Sequence, residues 1–253
     1  MRIKKIPLTI PTRQYAVRRI EFDDWMVRRS KAELHRHRVM KIEQTGEGFI
    51  IDGLFQAEFL VGAGGTRCPV AEYFFKDRTH ENGRSNIKDR KIAALEEEVE
   101  ADGQNKSCRL WFFEEGLAGY SWLVPKEGGF AAIGVGGLLD RINQTGNRIW
   151  DFWEHHIKRL EAAGLIREQK HVPRGHVYLR RWKNGQTQPV QKGRVLITGD
   201  AAGLATRDMG EGIEPAVESG IRAARSIITG AGYSVSGIKK YSLPAIVFPP
   251  KLP

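Results

Sequence analysis

The stretch GRVLITGDAAGLATRDMGEGIEPAVESGIRAA, residues 193–224, decides how the rest of the chain is read. Val195, Leu196 and Ile197 form a short continuous apolar run, the pattern of a strand buried on both faces. The run stops at Gly199 and Asp200. Ala201, Ala202 and Gly203 follow, small residues that let a ligand approach the backbone closely. Gly210-Glu211-Gly212 then precedes Ile213, Ala216, Val217, Gly220, Ile221 and Ala224, spaced as one face of a helix. A carboxylate at a strand end, small residues around it and a helix N-terminus with open N–H groups suit a ligand with hydroxyls and an electron-rich head. Asp200 would accept from a hydroxyl. The N–H groups near Gly212 and Ile213 would face a carbonyl or an anionic ring.

This segment resembles the second FAD-binding motif of the para-hydroxybenzoate hydroxylase-like flavoproteins, and within them the geranylgeranyl reductase family. The resemblance implies that Asp200, with Gly199, Ala201 and Gly203, holds the ribityl or diphosphate part of FAD. It also implies that Gly210, Gly212 and Ile213 lie against the flavin pyrimidine. Phe59-Leu60-Val61-Gly62-Ala63-Gly64-Gly65-Thr66-Arg67-Cys68 reads as strand, glycine turn and loop. It is similar to the family's middle flavin motif, Gly-Ala-Asp-Gly, with Gly64 in place of the aspartate. Gly62, Ala63 and Gly65 are expected to keep the close backbone turn, without that carboxylate. Arg19-Ile20-Glu21-Phe22-Asp23 resembles the family's Arg-x-x-Phe-Asp helix start, which implies that Arg19 lies near the flavin.

Tyr120-Ser121-Trp122-Leu123-Val124-Pro125 is followed, after eight residues, by Gly134-Val135-Gly136. Alternation puts Tyr120 and Trp122 on one face of a strand. On the residues alone this is core packing. The spacing resembles the family's substrate-channel motif, which implies that Tyr120, Trp122, Pro125 and Gly134 line an apolar tunnel for an isoprenoid chain. Aromatic walls give such a chain large contact area with little loss of rotamer entropy.

A G-x-G-x-x-G turn after a first strand, the usual cradle for the ADP half of FAD, is not found. Gly62-Ala63-Gly64, Gly134-Val135-Gly136 and Gly210-Glu211-Gly212 all fail to close the pattern. Three arrangements follow: a piece of a longer protein, a separate ADP-binding chain, or a degenerate relative that no longer binds FAD. The first is the reading adopted, because the residues that would serve the flavin are in place.

Composition sets outer bounds. The 253 residues are 41% hydrophobic, enough for a substantial core, and carry 40 basic against 30 acidic side chains, a formal charge of +10. No apolar run reaches the roughly 18 residues of a membrane helix, and no secretory leader is visible. The charge suits a basic solvated surface, with an anionic lipid surface as an alternative. No zinc spacing or recognition helix supports nucleic acid. The 2 cysteines, Cys68 and Cys108, are too few for a disulfide framework and are expected to be buried thiols in a reducing, cytoplasmic setting, with the inner face of a membrane as a peripheral location. Adjacent His155 and His156 point to different faces of a helix, so no metal site is expected. Glu96 to Glu98 are expected to form an exposed acidic patch.

The expected fold is α/β, mixed with α+β: a partial FAD-binding Rossmann-like domain with an inserted antiparallel-sheet substrate domain. Its parts are residues 1–68, the first FAD-binding part; 69–184, the substrate domain; 185–235, the last FAD-binding part; and 236–253, a tail. Tyr15 to Arg19 is read as a strand. An amphipathic helix follows, marked by Phe22, Trp25, Met26 and Arg29 and running to about Leu34. A hairpin is read around Gly46, strands at Lys91–Leu95, Cys108–Phe113, Tyr120–Val124 and Ala131–Val135, and a long helix around Trp150, Trp153, Ile157 and Leu160. Residues 76–90 and 101–106 are read as loops. The expected function is an FAD-dependent oxidoreductase reducing C=C bonds of an isoprenoid or other apolar substrate, with NAD(P)H or ferredoxin as electron donor. The alternatives are a flavin monooxygenase or halogenase, and a non-enzymatic lipid- or partner-binding module.

Overall fold

A computed structural model describes residues 2–3, 6–7, 9–10, 16–75, 91–101, 107–179, 189–206 and 209–238. In chain order the elements are β1 Arg2–Ile3, β2 Ile6–Pro7, α1 Arg19–Ser30, β3 Ile42–Gln44, β4 Phe49–Ile51, β5 Phe55–Ala57, β6 Leu60–Gly62 and α2 Pro69–Phe74. Then come β7 Lys91–Glu100, β8 Arg109–Phe112, β9 Gly119–Lys126, β10 Phe130–Leu138, α3 Leu139–Gln144, α4 Ile149–Ala162 and β11 Arg174–Leu179. The last are β12 Gln191–Lys192, β13 Val195–Ile197 and α5 Ile213–Thr229. The chain forms two discontinuous units. One comprises Met1–Arg36 and Ile92–Val177, the other His37–Lys91 and Tyr178–Pro253.

The first unit carries a seven-stranded sheet in the order β11-β7-β10-β9-β8-β1-β2. Its centre is antiparallel, with Trp122 opposite Gly134 and Leu95 opposite Val135. Odd-numbered residues of β9 and β10 point to one face, where Leu123, Ile133 and Val135 pack with Phe152, Trp153, Ile157 and Leu160 of α4. The expected strands and the long helix are therefore present. β7 runs through Glu96–Glu98, and its alternation splits the expected acidic patch. Glu98 pairs with Arg18 and Lys126 on one face, and Glu97 with His171 on the other.

The strand expected at Tyr15–Arg19 is corrected. Residues 16–18 are irregular, Arg19 opens α1, and Tyr15 lies outside the described residues. The pairs Arg19–Asp23 and Arg28–Asp24, one helical turn apart, favour the helix there. The helix ends at Ser30, where Lys31 turns left-handed at φ 55°, short of Leu34. Nor does it bury an apolar face, since none of its residues is buried. At 100° per residue, Ile20 and Val27 lie on one side and Phe22 and Trp25 on the other.

The second unit holds an antiparallel meander, β3-β4-β5, and a three-stranded sheet in the order β12-β13-β6. The meander is the hairpin expected around Gly46, extended by one strand. β13 pairs in parallel with β6, with Leu196 opposite Val61 and Ile197 opposite Gly62. All three residues of β13 are buried, as a parallel strand covered on both faces should be. Their core includes Phe49, Val70, Ala223 and Tyr233. The Tyr233 hydroxyl donates to the Ile197 carbonyl at 3.0 Å, and burial pushes its pKa up to about 12. The expected loop at residues 76–90, positions 102–106 of the 101–106 loop, and the tail from 239 lie outside the described residues.

Candidate functional site

The site of the second unit is built at the carboxyl ends of two adjacent parallel strands. β6 runs into a short 3-10 turn at Gly65–Arg67, and β13 into another at Gly199–Ala202. The two turns pack together, and the Thr198 N–H donates to the Gly62 carbonyl at 3.0 Å. Ligands of open α/β sheets bind at this end of the strands. Glycine is required at several corners. Gly65, Gly199, Gly203 and Gly210 have φ of 70°, 53°, 67° and 65°, a region that side-chain-bearing residues avoid. Gly62 is different. A Cβ there would lie 2.8 Å from Val70 and 2.9 Å from the Cys68 sulfur, so its absence lets α2 pack on β6. Ala63 and Gly64 are exposed beside that turn.

The first turn of α5 closes the site. A Cβ on Gly212 would lie 3.1 Å from the Asp200 carboxylate oxygen Oδ1, and one on Gly199 would lie 3.1 Å from the Cβ of Ala216. Asp200, Gly199, Gly212 and the start of α5 thus form one constellation. The helix read from Ile213 onward is present; Ile213 and Ile221 are 37% and 44% exposed, and the buried residues are Pro215, Ser219, Ala223 and Ser226. Small side chains on that face let the helix come close to the Gly199 turn. Ala201 is buried against the core.

Polar side chains that the sequence did not single out hold this geometry. Ser219 accepts the Gly199 N–H at 3.0 Å and donates to the Ala216 carbonyl at 3.0 Å. Thr206 pins the loop before α5: its N–H donates to the Glu211 carbonyl at 2.8 Å and its hydroxyl accepts the Glu211 N–H at 2.9 Å. The Glu211 carboxylate accepts the Glu214 N–H at 3.0 Å. Burial raises the Glu211 pKa, with the charges of Glu214 and Asp200 adding to the effect. A buried serine on a helix of otherwise small and apolar contact residues is the signal that could have found Ser219.

The remaining predicted residues belong to the first unit. Arg19 is exposed and grips the Asp23 carboxylate through two hydrogen bonds of 3.1 and 2.9 Å. Tyr120 and Trp122 share the sheet face opposite α4, with ring centroids 5.4 Å apart, and Phe112 extends the series 5.2 Å from Tyr120. The Trp122 indole lies flat on Gly134, where a Cβ would meet its ring at 2.2 Å. Pro125, out of phase with both aromatics, belongs to the face of Ser121 and Leu123. Behind the aromatic face, His156 is 1% exposed. Its Nδ1 is 2.6 Å from an Arg159 guanidinium nitrogen, and its Nε2 is 2.9 Å from the Trp122 carbonyl oxygen. Arginine only donates, so Nδ1 accepts and Nε2–H donates to Trp122. Burial lowers the His156 pKa to about 3. Cys68 is buried, and Cys108 is exposed rather than buried as expected. Among the described residues, no helix is long and apolar enough to cross a membrane.

No protein-family model matches the chain. It is 27% identical over 147 residues to a digeranylgeranylglycerophospholipid reductase 2 of Methanosphaera stadtmanae, covering 54% of this chain and 34% of the relative. It is 27% identical over 199 residues to a chloroplastic geranylgeranyl diphosphate reductase of Oryza sativa subsp. japonica, covering 75% of this chain and 38% of the relative. The chain therefore spans about a third of the length of these curated relatives. Its fold resembles a geranylgeranyl bacteriochlorophyll reductase-like protein of Thermoplasma acidophilum, with TM-score 0.57, 17% identity, 76% of this chain and 49% of the other. It also resembles a myxobacterial chondrochloren halogenase, one of the FAD-dependent halogenases, with TM-score 0.57, 16% identity, 87% of this chain and 54% of the other. The chain is thus similar in sequence to geranylgeranyl reductases and shares its fold with a geranylgeranyl bacteriochlorophyll reductase-like protein and an FAD-dependent halogenase.

Proposed function

We propose that this chain is the part of an FAD-dependent reductase that holds the flavin end of the cofactor and carries the apolar substrate face. The reaction proposed is saturation of C=C bonds in an isoprenoid chain, with NAD(P)H or ferredoxin as electron source. The observation that carries the flavin reading is the convergence of Asp200, the Gly65 turn and the first turn of α5 at the carboxyl ends of β6 and β13. The residues fit the group. A glycine at 212 leaves the Asp200 carboxylate next to bare helix backbone, where a Cβ would crowd it at 3.1 Å. Asp200 would accept from a sugar-like hydroxyl, and the N–H groups at the start of α5 would face the carbonyl edge of the ring. Reduced flavin, when bound, supplies hydride to the substrate.

The protein's own contribution is position and a dry surface. Ser219 fixes the Gly199 turn and Thr206 fixes the loop before α5. Tyr120 and Trp122, half-buried and backed by the buried Phe112, offer an aromatic face suited to a branched hydrocarbon chain. The visible spectrum of the purified chain, before and after adding FAD and removing the excess, tests the cofactor. Retained flavin bands that disappear in Asp200→Ala support the reading, and equal retention by both proteins overturns it. The fold shared with the chondrochloren halogenase supports a second reading, oxygen-dependent hydroxylation or halogenation. Product masses separate the two: each reduced bond adds two hydrogens, whereas the alternatives add oxygen or halogen.

A further inference from the structure

Glu211 immediately precedes the N-cap of α5. The N-cap, Gly212, makes no side-chain hydrogen bond, and Pro215 has no N–H to offer. The donors at this helix end come down to the N–H groups of Gly212, Ile213 and Glu214. The Glu211 side chain folds forward onto them. Its Oε1 accepts from Glu214 at 3.0 Å, and the neighbouring Ile213 N–H favours its charged form. The double link to Thr206 fixes the Glu211 backbone, and so the direction the side chain takes. The cap is an uneasy one. Oε2 is closed off from solvent and has no hydrogen-bond partner among the described residues, an unfavourable state for a buried polar atom. Asp200 adds like charge from across Gly212. A carboxylate tied to the helix start by the Glu214 N–H, yet buried and repelled, is suited to leave when another acceptor takes that end of the helix.

We propose that Glu211 is the internal occupant of the flavin's carbonyl position: it holds the Glu214 N–H and covers the start of α5 in the flavin-free chain, and yields that helix end to the pyrimidine edge of the flavin. This rests on the reading that the start of α5 faces a flavin. Removing the carboxylate removes a competitor. Riboflavin and FAD therefore bind Glu211→Ala about tenfold more tightly than wild type, with the near-isosteric Glu211→Gln in between.

The experiment measures flavin fluorescence quenching and amide hydrogen exchange on the whole chain, as wild type, Glu211→Ala, Glu211→Gln and Asp200→Ala. Without flavin, Ile213 and Glu214 amides are expected to exchange faster in Glu211→Ala than in wild type, and riboflavin is expected to restore their protection. Unchanged exchange in Glu211→Ala overturns the cap. Faster exchange with flavin binding no tighter than wild type overturns the competition and leaves the flavin site standing. Flavin bound equally by wild type and Asp200→Ala, or by none of the four proteins, overturns the flavin reading and the competition together, while the exchange rates still decide the cap.

Discussion

The Asp200 carboxylate and the Gly212 α-carbon are separated by less than the room a methyl group needs: a Cβ on Gly212 would stand 3.1 Å from Oδ1. The backbone at Gly212 has φ −131°, which any residue adopts. The cost of Gly212→Ala is therefore confined to the carboxylate. We expect the variant to fold with an unchanged melting temperature but to bind FAD roughly tenfold more weakly. In an Asp200→Ala background the same change should add nothing. Flavin titrations of the four proteins close this cycle, and independent, additive losses would show that the two residues do not act on one ligand.

Ser219 is fully buried, and its hydroxyl accepts the Gly199 N–H. Ser219→Ala strands that N–H in the core. The expected loss is about 1–3 kcal/mol of stability, together with weaker flavin retention because the Asp200 turn loses its tie to α5. Urea unfolding checks the first part. A loss below about 0.5 kcal/mol, the range of an ordinary surface change, would mean that the hydroxyl does not hold the turn.

These polar ties mark the limit of what the sequence made legible. β13 was readable because a parallel strand buried on both faces needs an unbroken apolar run, and Val195-Leu196-Ile197 supplies it. That Asp200 and Gly212 lie side by side followed from a strand end and a glycine-led helix start in one short segment. The buried face of α5 was not legible, since periodicity picks out Ile213 and Ile221 rather than Ser219 and Ala223. Close packing on the Gly199 turn selects small residues instead. Tyr15–Arg19 was read as a strand, but the chain enters a helix at Arg19, which the ion pairs along α1 favour. Thr206 and Glu211 acquire their roles only when the chain folds back on itself, which no local pattern announces.

Trp122 and Gly134 form a second sterically specified pair. A Cβ at Gly134 would fall 2.2 Å from the indole and 2.7 Å from the Leu95 carbonyl oxygen, whereas one at Gly136 would find its nearest neighbour at 3.3 Å. Gly134→Ala should expel the indole and destabilise by about 1–3 kcal/mol, with a red shift in tryptophan emission. Gly136→Ala should cost clearly less. Thermal unfolding and emission spectra of the two variants test the contrast. Equal effects would mean that Trp122 does not depend on the floor beneath it.

His156 gives the protein a pH dependence of defined sign. Its pKa is about 3 in the folded chain against an ordinary 6.5, with burial as the main cause and the Arg159 charge contributing. Between those values the unfolded chain binds the proton and the folded chain does not. The stabilisation is therefore present above pH 6.5 and is lost as pH falls toward 3. Each pH unit within that window costs about 1.4 kcal/mol. From pH 7 to 5 the loss from this one group is about 2 kcal/mol. His156→Gln keeps a donor for the Trp122 carbonyl but does not titrate. Urea unfolding at the two pH values should show wild type losing about 2 kcal/mol more than the variant. Parallel losses would mean that His156 is protonated in the folded state, which its place between the Arg159 guanidinium and the Trp122 carbonyl forbids: a protonated Nδ1 would confront the arginine donor at 2.6 Å.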